Sequence, residues 1–216
     1  AYEIYQCDWS SDVCSSDLSH YAVSKVSASY LLKYVAESQK LPVINLRYYS
    51  IFGPYEESDR LIAKVVAEGA KKRYPPFVDP EISRDFVYVD DAVEATLLAA
   101  RDGVKHAPGA SVNIASGKKT TIREVAQAAR EVFGIEGEPK WATMQSRFWD
   151  LKDWWGKPDL AKKVLGWQAT TSFKDGLAAT GEWFKQHGTP EVVSMVKIDA
   201  PPRLSAVIAC YKDAQA

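Results

Sequence analysis

The chain is poor in the residues that build metal centres and disulfide scaffolds. It has three cysteines and three histidines among 216 residues, and the histidines are scattered. Cys7 and Cys14 stand seven positions apart, a spacing that matches no common zinc-ligand pattern. We therefore expect no metal site, and we expect His20, His106 and His187 to be structural or surface residues.

Neither an excess of one charge nor a long apolar run is present. The 27 Lys and Arg residues almost balance the 28 Asp and Glu residues, so a basic surface that binds nucleic acid is not expected. No apolar run approaches the 18 residues of a membrane-spanning helix, and no secretory leader is visible. These absences predict a cytoplasmic protein without a membrane segment. The 46% of apolar residues permits one core, or one domain with part of another.

Tyr21 and Lys25 form the most informative pair in the chain. They lie four residues apart in YAVSK, which opens a helix predicted over residues 20–39. That spacing puts both side chains on one helix face, one turn apart. An ammonium near a phenol stabilises the phenolate, as an acid/base catalyst requires. The structural alternative is a solvent-facing tyrosine beside a lysine that reaches along the helix, and with 11 tyrosines in the chain the pair needs support from its context.

Hydrophobic periodicity predicts alternating strands and helices after this first helix. The predicted strands cover residues 41–49, 84–89, 111–115 and 139–142, and the predicted helices cover residues 59–73, 90–101, 122–133, 158–165 and 172–187. Asp90 or Asp91 is expected to cap its helix. A capping box is predicted from Thr120 or Thr121 together with Glu124. Gly166 is expected to end the helix predicted over residues 158–165.

Five blocks follow one another in a characteristic order. They are YAVSK at 21–25, LRYYSIFGP at 46–54, SRDFVYVDDAVEA at 83–95, VNIASGKKTTIREVA at 112–126 and KKVLGWQ at 162–168. Together they resemble the extended short-chain dehydrogenase/reductases, specifically the NAD-dependent sugar-nucleotide epimerases and dehydratases. The resemblance implies an α/β architecture, namely the C-terminal part of a Rossmann-type NAD-binding fold with a small α/β substrate-binding lobe, and a ligand between the two.

The resemblance also implies roles for the first pair of residues. Tyr21 would move a proton to and from a sugar hydroxyl, and Lys25 would stabilise its phenolate and bind the ribose of NAD. The glycine-rich turn that holds the pyrophosphate of NAD in this family has no counterpart in the sequence. We therefore expect the chain to be part of a longer enzyme and to be inactive by itself. Relatives often dimerise through the tyrosine-bearing helix and the helix before it, which is missing from this sequence; the resemblance therefore implies a homodimer only for the full-length protein.

Four further residues are implied in substrate binding. Ser50 replaces the asparagine that often contacts substrate phosphate, and a hydroxyl reaches less far. Arg84 stands where an arginine commonly pairs with the nucleotide diphosphate; a local ion pair with Asp85 is the alternative. Arg147 and Asp150 match a second phosphate-binding arginine and the aspartate after it. Their structural alternative is a tryptophan-rich patch that braces the substrate lobe.

The reaction implied is NAD-dependent epimerisation of a nucleotide-linked hexose. Dehydratases and reductases of the same family are the alternative, although dehydratases carry an Asp-Glu pair where this chain has Tyr2 and Glu3. A protein of another class, a nucleotide-sugar binding module attached to a glycosyltransferase, would not need Tyr21 and Lys25.

The ends of the chain differ from its middle in composition. Residues 8–18 match the translation of a ligated sequencing adapter, so we expect residues 1–18 to be a truncated and partly artefactual segment; a natural polar loop is the alternative. Residues 19–188 are expected to form the epimerase/dehydratase part, and residues 189–203 a linker. Residues 204–216 resemble the first strand of a family 2 glycosyltransferase, with an ordinary C-terminal strand as the alternative.

Overall fold

A computed structural model describes residues 20–143 and 153–188, with side chains from residue 23 onwards. The predicted linker and glycosyltransferase strand, and residues 1–18, lie outside these ranges. The helices are α1 His20–Gln39, α2 Leu61–Gly69, α3 Val89–Leu98, α4 Val104–His106, α5 Ile122–Phe133, α6 Asp159–Leu165 and α7 Phe173–His187, with a π-helical turn, Ala99–Gly103, between α3 and α4. The strands are β1 Asn45–Tyr48, β2 Ser50–Phe52, β3 Ser83–Arg84, β4 Phe86–Tyr88, β5 Ser111–Ile114 and β6 Thr120–Thr121.

The strand predicted over residues 41–49 is confirmed only as the shorter β1, and a second strand, β2, follows it with a different partner. β1 runs parallel to β5, and β2 runs parallel to β4. The change of partner occurs at Tyr49, whose N–H donates to the carbonyl of Ile114 at 3.2 Å, while the next N–H, of Ser50, donates to Asp85 at 3.0 Å. The third pair, β3 with β6, is antiparallel. Mixed pairing of this kind matches the predicted α/β architecture.

Two hydrophobic clusters form the core, and β4 contributes to both. Val87 packs with β1, β5, α3 and α6 in one cluster, whereas Phe86 and Tyr88 pack with α2, α5 and α7 in the other. Alternate side chains of a strand point to opposite faces, so three residues are enough to join the clusters. β4 therefore lies between the two clusters, with one cluster on each of its faces.

The helix predicted over residues 20–39 is confirmed, but its expected apolar side is only partly covered. Val23 and Leu31 are 54% and 61% exposed, whereas Ala36 is 5% exposed. A hydrogen bond of 2.9 Å from Nδ2 of Asn45 to Oγ of Ser29 joins the helix to the start of β1. Helical periodicity identifies an apolar face, but it does not identify the partner that covers it.

The predictions for helix ends succeed where the contacts are local. Thr121 and Glu124 form the predicted capping box, and α6 ends at Gly166 with φ of +66°. The predicted cap of α3 is wrong, because this helix starts after Tyr88 without a side-chain cap. Asp91 is 4% exposed, and its carboxylate accepts hydrogen bonds from the distant residues 170 and 171 instead.

Two other boundaries differ from the prediction. α2 was predicted to reach residue 73 but ends at Gly69, and Lys72 adopts a φ of +59° just beyond it. The ammonium of Lys72 donates to the carbonyl of Phe133, at the end of α5. Residues 139–142 do not form the predicted strand: Ala142 has a φ of +51°, which interrupts extended geometry, although its N–H donates to Val78.

Candidate functional site

The carboxylate of Asp85 joins three segments of the chain. Asp85 lies between β3 and β4 and is completely buried. Its Oδ1 accepts hydrogen bonds from the N–H and the hydroxyl of Ser116, both at 2.7 Å. Its Oδ2 accepts from the N–H of Gly117 at 3.0 Å and from the N–H of Gly156 at 3.1 Å. The β3–β4 junction is therefore tied to the loop after β5 and to the segment before α6.

Two opposing effects act on this carboxylate. Burial disfavours its charged form and raises the pKa of Asp85 above 3.8, while the hydrogen bonds from Ser116, Gly156 and Gly117 act in the opposite direction. Burial is the larger effect. The carboxylate thus holds the loops through backbone N–H groups. The sequence-based alternative was a local ion pair between Arg84 and Asp85, whereas the observed contacts of Asp85 reach distant segments of the chain.

Arg84 lies against an aromatic ring next to this junction. Its Nη1 donates to the carbonyl of Ser83 at 2.9 Å, and its Cζ lies 5.9 Å from the ring centroid of Trp154. The N–H of Trp154 donates to the same Ser83 carbonyl at 3.3 Å. The edge of Tyr49 meets the Trp154 ring, with 6.4 Å between centroids and an interplanar angle of 84°. Tyr49, Trp154 and Arg84 therefore form one chain of contacts, one edge-to-face and one cation–π, which is called the stack below.

Ser50 follows directly on this stack. It opens β2, where it is paired with Phe86 in the parallel register, and it is half-buried. Since its N–H donates to the carbonyl of Asp85, its backbone is hydrogen-bonded to the residue that follows Arg84. The structure thus brings two of the predicted substrate-binding residues close together: Ser50 is hydrogen-bonded through its backbone to Asp85, the residue that follows Arg84.

The direction of α1 follows from two contacts. Ser29 is hydrogen-bonded to Asn45 at the start of β1. Further along the helix, Ala36 lies against Gly109, whose N–H donates to the carbonyl of Val43. Later residues of the helix therefore meet earlier residues of the strand, so α1 runs antiparallel to β1 and its first turns point toward the carboxyl end of the sheet.

The positions of Tyr21 and Lys25 along α1 can be compared with positions along β1. Tyr21 precedes Ser29 by eight residues, which is about 12 Å of helix at about 1.5 Å per residue. Tyr49 follows Asn45 by four residues, which is about 13 Å of strand at about 3.3 Å per residue. Tyr21 thus precedes the Ser29 contact by about the axial length that separates Tyr49 from Asn45, in the direction of the carboxyl end of β1, and Lys25 lies one helical turn closer to that contact.

Arg147 and Asp150 lie outside the described residues, as does Trp149. The described residues on either side of them are hydrogen-bonded to the same stretch of chain, residues 77–83. Before them, the N–H of Thr143 donates to the carbonyl of Phe77 at 3.1 Å. After them, Oγ of Ser83 donates to Oδ1 of Asp153 at 2.8 Å.

A surface pocket with about 410 Å³ of empty space opens beside the turn that follows β2. None of the predicted site residues that the structure describes lines it, so it is separate from the stack at Arg84. Its walls are Gly53, Pro54, Tyr55, Glu56, Ser58, Ala63, Val66, Ala67, Thr180, Trp183 and Phe184.

Neither a metal-binding cluster nor a membrane-spanning helix is found in the part of the chain that the structure describes. Within residues 20–143 and 153–188, His, Cys, Asp and Glu side chains form no group of three or more that could hold a metal ion. No helix in those ranges is both long enough and apolar enough to cross a membrane.

Sequence reasoning did not single out Gly156, it placed Trp154 only in the tryptophan-rich bracing patch, and it assigned Asp85 only a local role. The contact of Gly156 with Asp85 joins residues 71 positions apart, so no local pattern contains it. One signal was present: a glycine that follows two tryptophans at 154 and 155 indicates a close approach of backbone to another group.

Comparisons with known proteins agree with this geometry. The sequence matches the NAD dependent epimerase/dehydratase family over residues 8–115, which is half of the 216 residues. An uncharacterized UDP-glucose epimerase of Bacillus subtilis, YtcB, is 27% identical over 173 residues, with 75% of this chain and 50% of the relative covered. The chain spans about half the length of the curated relatives it matches.

Two solved structures show the same fold. UDP-glucose 4-epimerase of Thermotoga maritima, in complex with UDP-glucose, has a TM-score of 0.69 and 29% identity, with 77% of this chain and 53% of that chain covered. The Bordetella bronchiseptica enzyme WbmF, in complex with NAD+ and UDP, has a TM-score of 0.65 and 28% identity, with 77% and 52% covered. The fold is therefore of the Rossmann type predicted from the sequence, and the chain belongs to the NAD dependent epimerase/dehydratase family.

Proposed function

We propose that this protein is an NAD-dependent epimerase that acts on a nucleotide-linked sugar. The observation that supports the proposal is the antiparallel course of α1 along β1, which directs its first turn, with Tyr21, toward the carboxyl end of β1. Arg84 and Trp154 lie beside that edge. Carboxyl ends of parallel strands are the usual ligand position in open α/β sheets. The named activities of YtcB and the Thermotoga enzyme support a UDP-sugar as substrate.

The proposed proton transfers use one pair of residues. Tyr21 removes the proton of a sugar hydroxyl as the ring carbon is oxidised, and it returns the proton when the carbon is reduced. Lys25, one turn away on the same helix, stabilises the phenolate between these steps. Lys25 is also proposed to bind the ribose of NAD, and NAD, when bound, supplies reversible hydride transfer.

The substrate is held by polar side chains at the same edge. Arg84 binds the diphosphate, for which a planar guanidinium is suited because it can donate two parallel hydrogen bonds. Ser50, at the start of β2, donates a hydrogen bond to the substrate. Arg147 and Asp150 complete the proposed set, on the resemblance alone.

The test uses the full-length gene product with NAD and a panel of nucleotide sugars, with products followed by NMR. An epimer with the mass of the substrate is expected. The family also contains dehydratases, and a product that has lost water would replace epimerisation by that alternative. Substitution Tyr21→Phe should lower kcat at least about 100-fold, while Tyr30→Phe, on an exposed position of the same helix, should leave it unchanged. Unchanged turnover in the Tyr21 variant would favour the binding-module alternative.

We also propose a homodimer that forms through α1. Val23, Tyr30 and Tyr34 are 54%, 60% and 64% exposed. Spacings of seven and four residues put them on one stripe of the helix, and an exposed apolar stripe is typical of an association surface.

A further inference from the structure

The short segment of residues 153–156 is attached to the site at three points. Asp153 accepts a hydrogen bond from Ser83 at 2.8 Å. The backbone N–H of Trp154 donates to the Ser83 carbonyl at 3.3 Å, and that of Gly156 donates to Asp85. These contacts leave the Trp154 ring between two groups, the guanidinium of Arg84 and the edge of Tyr49.

We propose that Trp154 is a positioning residue, which holds the guanidinium of Arg84 in the orientation that binds the diphosphate of a nucleotide sugar. This inference rests on the role proposed above for Arg84. It assigns to Trp154 a contribution to substrate affinity without direct contact with the reacting atoms.

The first argument is the geometry of a stacked guanidinium. All the N–H groups of a guanidinium lie in its plane, so a ring against one face restrains the group while its hydrogen-bonding edges remain in the plane. The distance of 5.9 Å from the Arg84 Cζ to the Trp154 centroid is within the range of a cation–π contact. Stacking therefore restricts rotation of the Arg84 side chain and lowers the entropy lost when it binds a phosphate.

The second argument is that both partners share one anchor. Nη1 of Arg84 and the backbone N–H of Trp154 donate to the same carbonyl, that of Ser83. The ring and the guanidinium are thus fixed relative to one backbone atom, and a shift of Trp154 would be transmitted to Arg84.

The third argument concerns the far side of the ring. Tyr49 supports Trp154 edge-on, and Tyr49 is itself in contact with Gly156. Tyr49 immediately precedes Ser50, so the stack connects the two residues that are proposed to bind substrate. Trp155, by comparison, lies against Lys119, whose Nζ is 5.6 Å from its ring centroid, and it is 39% exposed.

The experiment compares Trp154→Leu with Trp154→Phe and with the neighbouring control Trp155→Leu, in the full-length gene product. UDP affinity is measured by titration calorimetry, and kcat and KM are measured with the epimerised sugar. Trp154→Leu should weaken UDP binding and raise KM by about 3- to 30-fold, which corresponds to the loss of a cation–π contact. We expect kcat to change less than about twofold, Trp154→Phe to have a smaller effect on binding, and Trp155→Leu to bind UDP normally.

A double-mutant cycle with Arg84→Ala separates this inference from the proposed function. If Arg84→Ala leaves UDP affinity unchanged, the role of Arg84 is wrong and the inference fails with it. If Arg84→Ala weakens binding while Trp154→Leu does not, only the inference is wrong. Should Trp154→Leu fail to fold, Trp154→Phe decides: its effect must disappear in the Arg84→Ala background, and an equal effect in both backgrounds would overturn the proposal.

Discussion

The N–H of Gly156 donates a hydrogen bond of 3.1 Å to Oδ2 of Asp85, across 71 positions of the chain. Together with the bonds from Ser116 and Gly117, it makes one buried carboxylate the acceptor for three separate backbone N–H groups. Removing such an acceptor leaves its donors buried and unsatisfied, which costs more than the net value of the bonds themselves.

Substitution Asp85→Asn should therefore destabilise the protein strongly. The amide keeps one oxygen but places an NH₂ group against backbone donors, so we expect a loss of about 3 kcal/mol in the free energy of unfolding. Asp79→Asn is the matched control, since Asp79 accepts one exposed hydrogen bond from the N–H of Glu81; it should cost less than about 1 kcal/mol. Urea unfolding monitored by circular dichroism measures both, and equal losses would show that Asp85 does not join the loops.

Asp85 should also give stability an unusual dependence on pH. Burial raises its pKa in the folded protein above 3.8, so the folded state binds the proton more tightly than the unfolded state. The stabilisation that Asp85 contributes to the folded state is thus fully present below pH 3.8, and it is lost as the pH rises through the pKa of the folded state. The stability difference between wild type and Asp85→Asn should therefore increase from pH 7 to pH 4.5. A difference that shrinks over this range would mean that the hydrogen bonds outweigh burial.

The distance between partners along the chain decides what the sequence could predict. The capping box of Thr121 and Glu124 uses residues three apart, and it was predicted correctly. The carboxylate of Asp91 was expected to cap α3, but it binds Thr170 and Thr171, at a distance of 79 and 80 positions. A local sequence pattern shows that a side chain can accept hydrogen bonds, but the tertiary fold determines which donors it meets.

The candidate site follows the same rule. Ser50 and Arg84 were identified from the resemblance, and in the structure the N–H of Ser50 donates to the carbonyl of Asp85, the residue after Arg84. Trp154 was assigned only to a bracing patch, because its contact with Arg84 exists only after the segment before α6 is laid against β3. The switch of partner at Tyr49 was missed for the same reason: an apolar run does not record where one strand ends and the next strand, with another partner, begins.

Gly156 should not accept a side chain. A Cβ at this position would lie 2.6 Å from Cε2 of Tyr49 and 2.8 Å from Cβ of Ala115, both inside van der Waals contact. We expect Gly156→Ala to cost about 2–3 kcal/mol by overpacking. The control is Gly137→Ala, where φ is +89° but no atom lies within 4 Å, so only backbone strain of about 1 kcal/mol is expected. Thermal unfolding ranks the two variants, and a Gly156 variant no less stable than the control would contradict close packing at Tyr49.

The stripe on α1 predicts the oligomeric state of the full-length gene product. Tyr34 is 64% exposed, and a buried interface that contains it would not tolerate an unpaired carboxylate. Tyr34→Glu should therefore shift a dimer toward the monomer, with at least a tenfold weaker dimerisation constant, about 1.4 kcal/mol. The control is Tyr55→Glu, since Tyr55 is equally exposed, at 67%, but lies beside α7, where it contacts Trp183. Light scattering coupled to size-exclusion chromatography measures both masses over a range of concentrations. A wild-type protein that remains monomeric throughout, or a Tyr34 variant as dimeric as the control, would rule out association through this helix.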